Sequence, residues 1–182
     1  RSTVGRRIVP GGSMWCNNIN GIWQDVYLLS VPKVSVTDVY VKPLVSKGML
    51  EVDVTVSNTS GKAASVSLDA DIYKWLNRAA AQKVAAGAEH KFTMQIPVKE
   101  GQLELWSPEH PNLNAMLVNV IADGKAVDTK YQRFGWREWT FDGTRQCLNG
   151  KPYPLRGDSW HFMGIPQMTR RYAWAWYKAI KD

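Results

Sequence analysis

The sequence predicts a mainly β protein, an immunoglobulin-like antiparallel β-sandwich followed by a C-terminal βα fragment of a TIM barrel. Two observations predict the sandwich. Apolar and polar residues alternate over about seven short segments of residues 33–140, and clusters of Gly, Asn, Ser and Asp separate the segments. One apolar face per strand suits an antiparallel sheet whose other face meets water. A helical apolar pattern after residue 141 predicts the βα fragment.

The segment before the sandwich, residues 1–32, is predicted to be mostly irregular. Gly, Ser and Asn punctuate residues 1–20, which is typical of a loop. Residues 22–31 are rich in β-branched and aromatic side chains and are followed by Pro32. We therefore predict a strand over residues 22–31 and a break after it.

Period-two alternation marks the strands of residues 33–140, and it is clearest in residues 50–56. An Ala-rich run at residues 79–88 is compatible with a helix, but Gly87 and the surrounding strands favour an irregular connection between strands. The apolar positions predicted to supply much of the core are Val52, Val54, Val56, Leu68, Ile72, Phe92, Met94, Ile96, Val118 and Val120.

The last part of the chain, residues 141–182, has a different pattern. Asp142-Gly143 predicts a turn, and Asn149-Gly150 is the strongest short hairpin signal in the sequence. A helix is predicted for residues 167–182, with Thr169 as its N-cap. Its apolar face is formed at helical spacing by Ala173, Trp176, Tyr177 and Ile180. A strand, a loop and a helix in this order make one βα unit of a (β/α)₈ barrel.

The charge and composition disfavour several classes of protein. The net charge is +7, but residues 33–140 are close to neutral and the excess lies in the two flanks. A nucleic-acid-binding protein concentrates its basic residues on one folded face, so we expect no nucleic-acid partner. No segment approaches the roughly 20 apolar residues that span a bilayer, so we expect no membrane partner. The basic segment 170–181 has the alternative of lying on a membrane surface.

The cysteines and histidines show no metal-binding pattern. Cys16 and Cys147 are far apart and are expected to be free buried thiols. His90 and His110 have no second ligand at metal spacing. We therefore expect no metal and no cofactor. The nine tryptophans suit either sugar stacking or, as we favour, packing at the seams between domains.

Four segments, taken in order, resemble glycoside hydrolase family 2, the group of β-galactosidases, β-glucuronidases and β-mannosidases. They are Gly-Ile-Trp-Gln-Asp-Val-Tyr-Leu at 21–28, Leu-Trp-Ser-Pro-Glu-His-Pro-Asn-Leu at 105–113, Phe-Gly-Trp-Arg-Glu at 134–138, and the run from Leu-Asn-Gly-Lys-Pro through Arg-Gly to His at 148–161. The chain departs from the family pattern at Asn114, where a Tyr is usual, and at Ser159, where an Asn is frequent.

This resemblance implies three domains. Residues 1–32 would be the remnant of an N-terminal jelly-roll sugar-binding domain. Residues 33–140 would be the immunoglobulin-like sandwich, acting as a structural spacer. Residues 141–182 would be the first βα unit of a truncated TIM-barrel catalytic domain. The parent protein would then be a retaining β-glycosidase, and this chain would be a fragment of it.

The catalytic carboxylates that the family uses are not in this sequence. Retaining glycosidases place two carboxylates on either side of the glycosidic bond, and the family's acid/base lies in an Asn-Glu pair on a later barrel strand. No Asn-Glu dipeptide occurs here, and the acidic residues after Glu138 are Asp142, Asp158 and Asp182. We therefore expect no catalytic residue in this chain and no glycoside hydrolysis by it.

The resemblance does imply substrate-binding residues for the parent enzyme. His161 matches a His that contacts sugar hydroxyls, with packing under the loops as its alternative. Asp158 would either hydrogen-bond the sugar or hold the loop, and Trp160 would either stack on the sugar or pack in the barrel mouth. Arg156 is expected to pair with a carboxylate within the barrel rather than to bind ligand.

The expected partners follow from this interpretation. They are the remainder of the parent polypeptide and, in the parent, a carbohydrate substrate. The apolar side chains of the C-terminal helix predict self-association, folding back or fraying. The sequence does not fix the compartment, and a periplasmic or secreted parent is compatible with it. The alternative from another class is a stand-alone immunoglobulin-like carbohydrate-binding or adhesion module, which would have no use for a barrel entry.

Overall fold

The structure, a computed structural model, describes residues 25–155 and 170–181. The chain divides into two compact units. Residues 30–155 form one of them and contain every strand of the described chain. The described residues of the other unit are 25–29 and the helix near the C-terminus.

Seven strands form the sandwich. A short 3₁₀ helix, Val45–Lys47, lies between the first two strands. The strands are β1 (Val34–Leu44), β2 (Met49–Asn58), β3 (Ala64–Ile72), β4 (Trp75–Val84), β5 (Ala88–Pro97), β6 (Asn114–Ala122) and β7 (Lys125–Phe134). They form two antiparallel sheets, one ordered β1-β2-β5 and the other β4-β3-β6-β7.

This strand order places three strands opposite four. Strand β4 pairs with β3 and not with β5, so β4 and β5 are edge strands of different sheets. The two-sheet, seven-strand arrangement is that of the immunoglobulin-like sandwich family of folds. The predicted sandwich is therefore confirmed.

The core lies between the two sheets and is built from the alternate residues of each strand that face inward. All ten predicted core positions are buried, with exposures from 0% to 6%. Val54 is fully buried and pairs across the sheet with Val39 on one side and Phe92 on the other. A register error of one residue would turn this whole face to solvent, so the alternation in the sequence fixes the pairing.

Two local predictions were wrong. Residues 79–84 belong to strand β4 and not to an irregular connection, because β4 pairs with β3 over nearly its whole length, with one register shift between Val66 and Leu68. The chain turns after β4 at Gly87, which has a φ of 71°. Residues 25–31, the described part of the strand predicted for 22–31, form no strand. A strand needs a neighbouring ladder, and no described strand pairs with these residues.

Three short strands follow the sandwich within the same compact unit. They are β8 (Trp139–Asp142), β9 (Arg145–Leu148) and β10 (Lys151–Pro152), and they form a separate antiparallel sheet. Both predicted turns are confirmed. Gly143 lies in the first turn, and Asn149 and Gly150, with φ values of 53° and 77°, form the second. Two successive positive φ values are what a tight hairpin turn of the Asn-Gly kind requires.

The predicted C-terminal helix is confirmed as α1 (Arg170–Lys181). Residues 167–169, including the predicted cap Thr169, and Asp182 lie outside the described residues. Trp174 and Ile180 are 65% and 67% exposed. Within the described chain, no helix is long and apolar enough to cross a membrane.

Two expectations about the C-terminal part stay predictions. The segment that would join the strands to α1 lies outside the described residues, so the barrel fragment and the domain boundaries are not tested. Self-association through α1 also stays a prediction, which sedimentation at several protein concentrations would test.

Val54→Asp is expected to lower the free energy of unfolding by about 3–5 kcal/mol, because it places a charge without a partner between Val39 and Phe92. Urea denaturation of the purified chain measures this change. Tyr131→Asp is the matched control, since Tyr131 is 56% exposed on the edge strand β7 and should change stability by less than about 1 kcal/mol. Equal midpoints for wild type and Val54→Asp would contradict the register.

Candidate functional site

The substrate-binding residues predicted for the parent enzyme lie outside the described residues. Asp158, Trp160 and His161, as well as Arg156, fall in the segment 156–169. Their roles therefore stay predictions. The candidate site within the described chain is the place where the sandwich ends and the small sheet begins, and we call it the junction cluster (Trp106, Gly135, Arg137, Glu138 and Asn149).

Three of the four resemblance segments meet in the junction cluster. Leu105 and Trp136 form an isolated parallel bridge, and the backbone N–H of Trp106 donates to the carbonyl of Trp136 at 2.9 Å. Trp136 is 6% exposed and packs in the sandwich core. Residues 105–113 and 134–138 are therefore held side by side at the end of the sandwich.

Asn149 lies in the resemblance segment 148–161 and connects it to the segments 105–113 and 134–138. Its side-chain Nδ2 donates to the carbonyl oxygen of Trp106 at 3.0 Å, and its Oδ1 accepts from the backbone N–H of Glu138 at 2.9 Å. Its own backbone N–H donates to the carbonyl of Glu138 at 2.8 Å. One amide side chain, held in a left-handed turn position, thus satisfies backbone groups that lie 43 and 11 residues away.

The Trp106 ring has a second role in the junction cluster. The guanidinium carbon of Arg137 lies 3.9 Å from the centre of the Trp106 ring, which is cation–π geometry. A Cβ on Gly135 would lie only 3.0–3.1 Å from three Trp106 side-chain carbons. A larger residue at 135 would therefore require Trp106 to shift by a few tenths of an ångström.

Glu138 attaches the junction cluster to the opposite sheet. Its Oε2 accepts from the backbone N–H of Ser46 at 2.7 Å, and Ser46 lies in the 3₁₀ helix between β1 and β2. The two residues are 92 positions apart in sequence. A charged acceptor makes this a stronger hydrogen bond than a neutral one, so the exit of the sandwich is tied to both of its sheets.

Glu109 contacts the residue that follows the small sheet. Its Oε1 accepts from the hydroxyl of Tyr153 at 3.1 Å, and the Tyr153 ring meets Trp139 edge to face at 5.9 Å. The backbone N–H of Glu109 and the side chain of Ser107 lower the pKa of the Glu109 carboxyl. A carboxyl that is easier to ionise is unsuited to the role of general acid.

The outer face of the sheet β1-β2-β5 carries the densest group of charges, which we call the Asp53 cluster (Lys42, Glu51, Asp53, Lys91 and Thr93). Asp53 accepts from Thr93 at 2.8 Å, from Lys42 at 3.0 Å and from Lys91 at 3.2 Å. Lys42 also pairs with Glu51 at 2.7 Å. The Thr93 hydroxyl, followed by Lys42 and Lys91, lowers the pKa of Asp53 to about 2.

Both clusters are held together by hydrogen bonds between neighbouring strands or turns. Both carboxylate oxygens of Asp53 accept from donors on neighbouring strands, and Oε2 of Glu138 accepts from the turn at Ser46. The described residues contain no group of three or more His, Cys, Asp or Glu that would hold a metal. Cys147 is a buried free thiol, as predicted, while Cys16 lies outside the described residues.

The structure describes two of the histidines, His90 and His110. His110 is exposed in a tight turn, where Ser107 N–H donates to its carbonyl and its own N–H donates to the Ser107 hydroxyl oxygen, at 2.9 and 3.1 Å. His110 therefore lies in a surface turn. The His90 ring meets Phe92 edge to face at 4.7 Å.

The model of the glycosyl hydrolases family 2 matches residues 34–137, which is more than half of the chain and spans the sandwich and part of the junction cluster. The chain therefore belongs to this family. The match contains two of the four resemblance segments, 105–113 and 134–137 of the next, so the similarity that the sequence suggested is confirmed on those residues.

Curated relatives are much longer than this chain. The β-galactosidase of Streptococcus thermophilus is 27% identical over 146 residues, which cover 78% of this chain and 14% of that protein. A putative β-glucuronidase of Formosa agariphila is 30% identical over 148 residues, covering 78% of this chain and 17% of that protein. The chain thus spans less than a fifth of the length of these relatives.

Solved structures share the fold. The β-glucuronidase 2 of Bacteroides uniformis, covalently bound to cyclophellitol-6-carboxylate aziridine, has a TM-score of 0.65 and 23% identity over 83% of this chain and 20% of its own. A family 2 β-galacturonidase from Eisenbergiella tayi has a TM-score of 0.60 and 22% identity over 67% of this chain and 21% of its own. At these identities the similarity shows the fold alone.

Sequence reasoning found the segments of the junction cluster but missed its hub. Asn149 was assigned only a turn, because the Asn-Gly pair explains itself locally. The sequence did contain a signal for a role of the Asn149 side chain. Glycine adopts the same left-handed turn conformation, so the turn alone does not require an Asn at this position. The roles of Glu138 and Arg137 had no local signal, because both depend on residues distant in sequence.

Asn149→Asp is expected to lower the free energy of unfolding by about 1–3 kcal/mol, because it replaces the Nδ2 donor by an oxygen that faces the Trp106 carbonyl. Thermal unfolding with near-ultraviolet circular dichroism measures the change. Gln146→Glu makes the same amide-to-acid change on β9 and should stay within about 0.5 kcal/mol of wild type. An equal decrease in the free energy of unfolding for both variants would show that the side-chain hydrogen bonds of Asn149 do not stabilise the junction cluster.

Asp53→Asn is expected to destabilise the sandwich at neutral pH but not in strong acid. Because the folded pKa of Asp53, about 2, lies below the ordinary value near 3.9, its stabilising contribution is present above about pH 4 and is lost as the pH falls toward about 2. The melting temperatures of wild type and variant should therefore converge over this interval. Glu104→Gln, at an exposed acid, is the control, and a difference that is independent of pH would contradict the assignment.

Proposed function

We propose that this chain is the spacer region of a larger retaining β-glycosidase, and that the sandwich fixes the direction in which the polypeptide enters the following domain. The observation that carries the proposal is the set of hydrogen bonds from Asn149 to Trp106 and Glu138, which connect three separate segments at the exit of the sandwich. A junction with this many links is rigid, and rigidity is what a spacer contributes.

The chemistry of the described residues supports a role without catalysis. Retaining hydrolysis needs two carboxylates roughly 5–5.5 Å apart, one of which has a raised pKa to act as the acid. The described carboxyls with altered pKa values, Asp53 and Glu109, are both shifted downward. The catalytic pair is therefore proposed to lie elsewhere in the parent protein, and this chain alone is proposed to be inactive.

The substrate class is proposed to be a β-linked glycoside. Relatives are named β-galactosidase and putative β-glucuronidase, and similar structures include a β-galacturonidase and an exo-chitosanase from Amycolatopsis orientalis. These proteins differ in the sugar that their names state, yet all contain the fold of this chain. The sandwich is therefore proposed to carry no sugar selectivity for the cleavage reaction.

The flanking parts of the chain are proposed to belong to neighbouring domains. Residues 1–32 would end a jelly-roll domain, and residues 141–182 would begin the catalytic barrel. In the parent enzyme His161, Asp158 and Trp160 would contact the sugar at the mouth of the barrel. This location follows from the family resemblance, since barrel enzymes place their sites at the C-terminal ends of the strands.

In the enzyme that contains this chain, His161→Ala is expected to reduce kcat/KM by at least about tenfold, a loss of about 1.4 kcal/mol of transition-state stabilisation, with little change in melting temperature. Steady-state kinetics on nitrophenyl β-glycosides, together with thermal unfolding, measure both quantities. Asn149→Asp is the contrasting variant, because a spacer defect should lower the melting temperature first. If His161→Ala lowers stability and leaves the activity of the folded fraction intact, His161 only packs.

A further inference from the structure

A chemically labile pair of residues lies at the centre of the junction cluster. Asn-Gly is the dipeptide in which an asparagine side chain deamidates most readily, because glycine has no side chain that shields its backbone nitrogen or restricts its backbone. The sequence contains two such pairs, Asn20-Gly21 and Asn149-Gly150. Asn20 lies outside the described residues, whereas Asn149 holds three segments of the chain together.

The surroundings of Gly150 do not hinder this reaction. Gly150 is exposed, and a Cβ built on it would have no atom of a non-adjacent residue within 4 Å. Water can therefore reach the peptide bond between Asn149 and Gly150. Because the backbone is open here, any protection of this pair comes from the Asn149 side chain.

The Asn149 side chain is held at both of its polar atoms. Its Nδ2 donates to the carbonyl of Trp106 at 3.0 Å, and its Oδ1 accepts from the backbone N–H of Glu138 at 2.9 Å. Both hydrogen bonds are partly buried. The position of Cγ, which is bonded to both atoms, is therefore fixed relative to the backbone of Trp106 and Glu138.

We propose that Asn149 is a site of spontaneous deamidation, which the folded junction cluster suppresses and an opening of the cluster permits. For the reaction, the side chain must turn so that Cγ meets the backbone nitrogen of Gly150, and this turn breaks both side-chain hydrogen bonds. The open state is a minor population of the folded protein. Because opening and closing are fast compared with deamidation, the reaction rate follows the population of the open state.

The reaction needs water and no enzyme. The backbone nitrogen of Gly150 gives up its proton to hydroxide and attacks Cγ of Asn149, so that a new N–Cγ bond forms. The Cγ–Nδ2 bond breaks, and Nδ2 takes a proton from water and leaves as ammonia. Water then opens the resulting cyclic imide at one of its two carbonyl carbons. The product is an aspartyl or an isoaspartyl residue at position 149.

Either product removes the contacts that Asn149 makes in the junction cluster. The aspartyl product has an oxygen in place of the Nδ2 donor, opposite the Trp106 carbonyl, and an acceptor that loses its donor destabilises the fold. The isoaspartyl product routes the main chain through the former side chain, which lengthens the turn between the paired residues Leu148 and Lys151. The product cannot rebuild the junction cluster, so deamidation makes the opening irreversible.

The test compares deamidation in the folded and in the unfolded chain. The purified chain is incubated at mildly alkaline pH with and without denaturing urea, and mass spectrometry detects the exchange of NH₂ for OH in tryptic peptides. Peptide 146–156 contains Asn149, and peptide 8–33 contains Asn20. In urea both Asn-Gly pairs should react at similar rates. Without urea, Asn149 should react at least about tenfold more slowly than in urea.

Loosening the junction cluster should reduce the protection. Glu138→Ala deletes the hydrogen bond to the Ser46 N–H but keeps Asn149-Gly150, so it should raise the rate without urea at least about threefold and leave the rate in urea unchanged. Glu100→Ala, at an exposed acid outside the cluster, is the matched control and should change neither rate. Far-ultraviolet circular dichroism shows whether the variants fold. If Glu138→Ala does not fold, Glu138→Gln takes its place with the same expectation.

Three results would overturn the proposal. The first is an Asn149 that does not react in urea, or that reacts equally fast without it. The second is an unchanged rate in the folded Glu138 variant. The third concerns the product, which ion exchange separates from the unreacted chain by its added negative charge. The product should melt at a lower temperature, and an unchanged melting temperature would show that the junction cluster does not need the amide.

Discussion

The burial of one apolar face per strand is the constraint on which the rest of this molecule depends. Val54, Leu68 and Val118 are fully buried between two sheets that would otherwise have no reason to meet. Burying side chains of this size contributes roughly 1.5–3 kcal/mol each, which is large compared with the net stability of a domain. The Asp53 cluster and the junction cluster lie on strands and turns whose positions this core fixes.

In the junction cluster, a small number of polar contacts extends from this fixed core to the segments that follow the sandwich. Trp136 belongs to the core, so the bridge that it forms with Leu105 starts from a fixed position. Asn149 and Glu138 then extend the fixed region to the hairpin of the small sheet and to the turn at Ser46. The two side-chain hydrogen bonds of Asn149 are partly buried, and such bonds contribute little net stability but penalise any arrangement that leaves them unmade. These hydrogen bonds therefore fix the direction of the chain at the exit of the sandwich more than they add to the free energy of unfolding.

The sequence was sufficient for the features whose cause is local or periodic. The core positions from Val52 to Val120 followed from period two, and the Asn149-Gly150 turn followed from its backbone requirement. Strand β4 was missed because alanine has weak preference for strands and its run lacks alternation, so only pairing with β3 makes it a strand. The bonds of Asn149 and Glu138 could not be predicted, since their partners lie 43 and 92 residues away. The expected sugar-site residues fall outside the described chain.

The strand order also has a consequence for how the chain reaches this structure. Pairs β1-β2, β3-β4 and β6-β7 join neighbours in sequence, but β2-β5 and β3-β6 each join strands that have two others between them in sequence. Neither sheet is complete until a distant strand arrives, and loop-closure entropy must be spent before its contacts form. Domains dominated by such non-local pairings fold in milliseconds to seconds, far more slowly than helical bundles. Until β5 arrives, the unpaired backbone edge of β2 is open to other chains, which makes assembly of this sheet the step most exposed to aggregation.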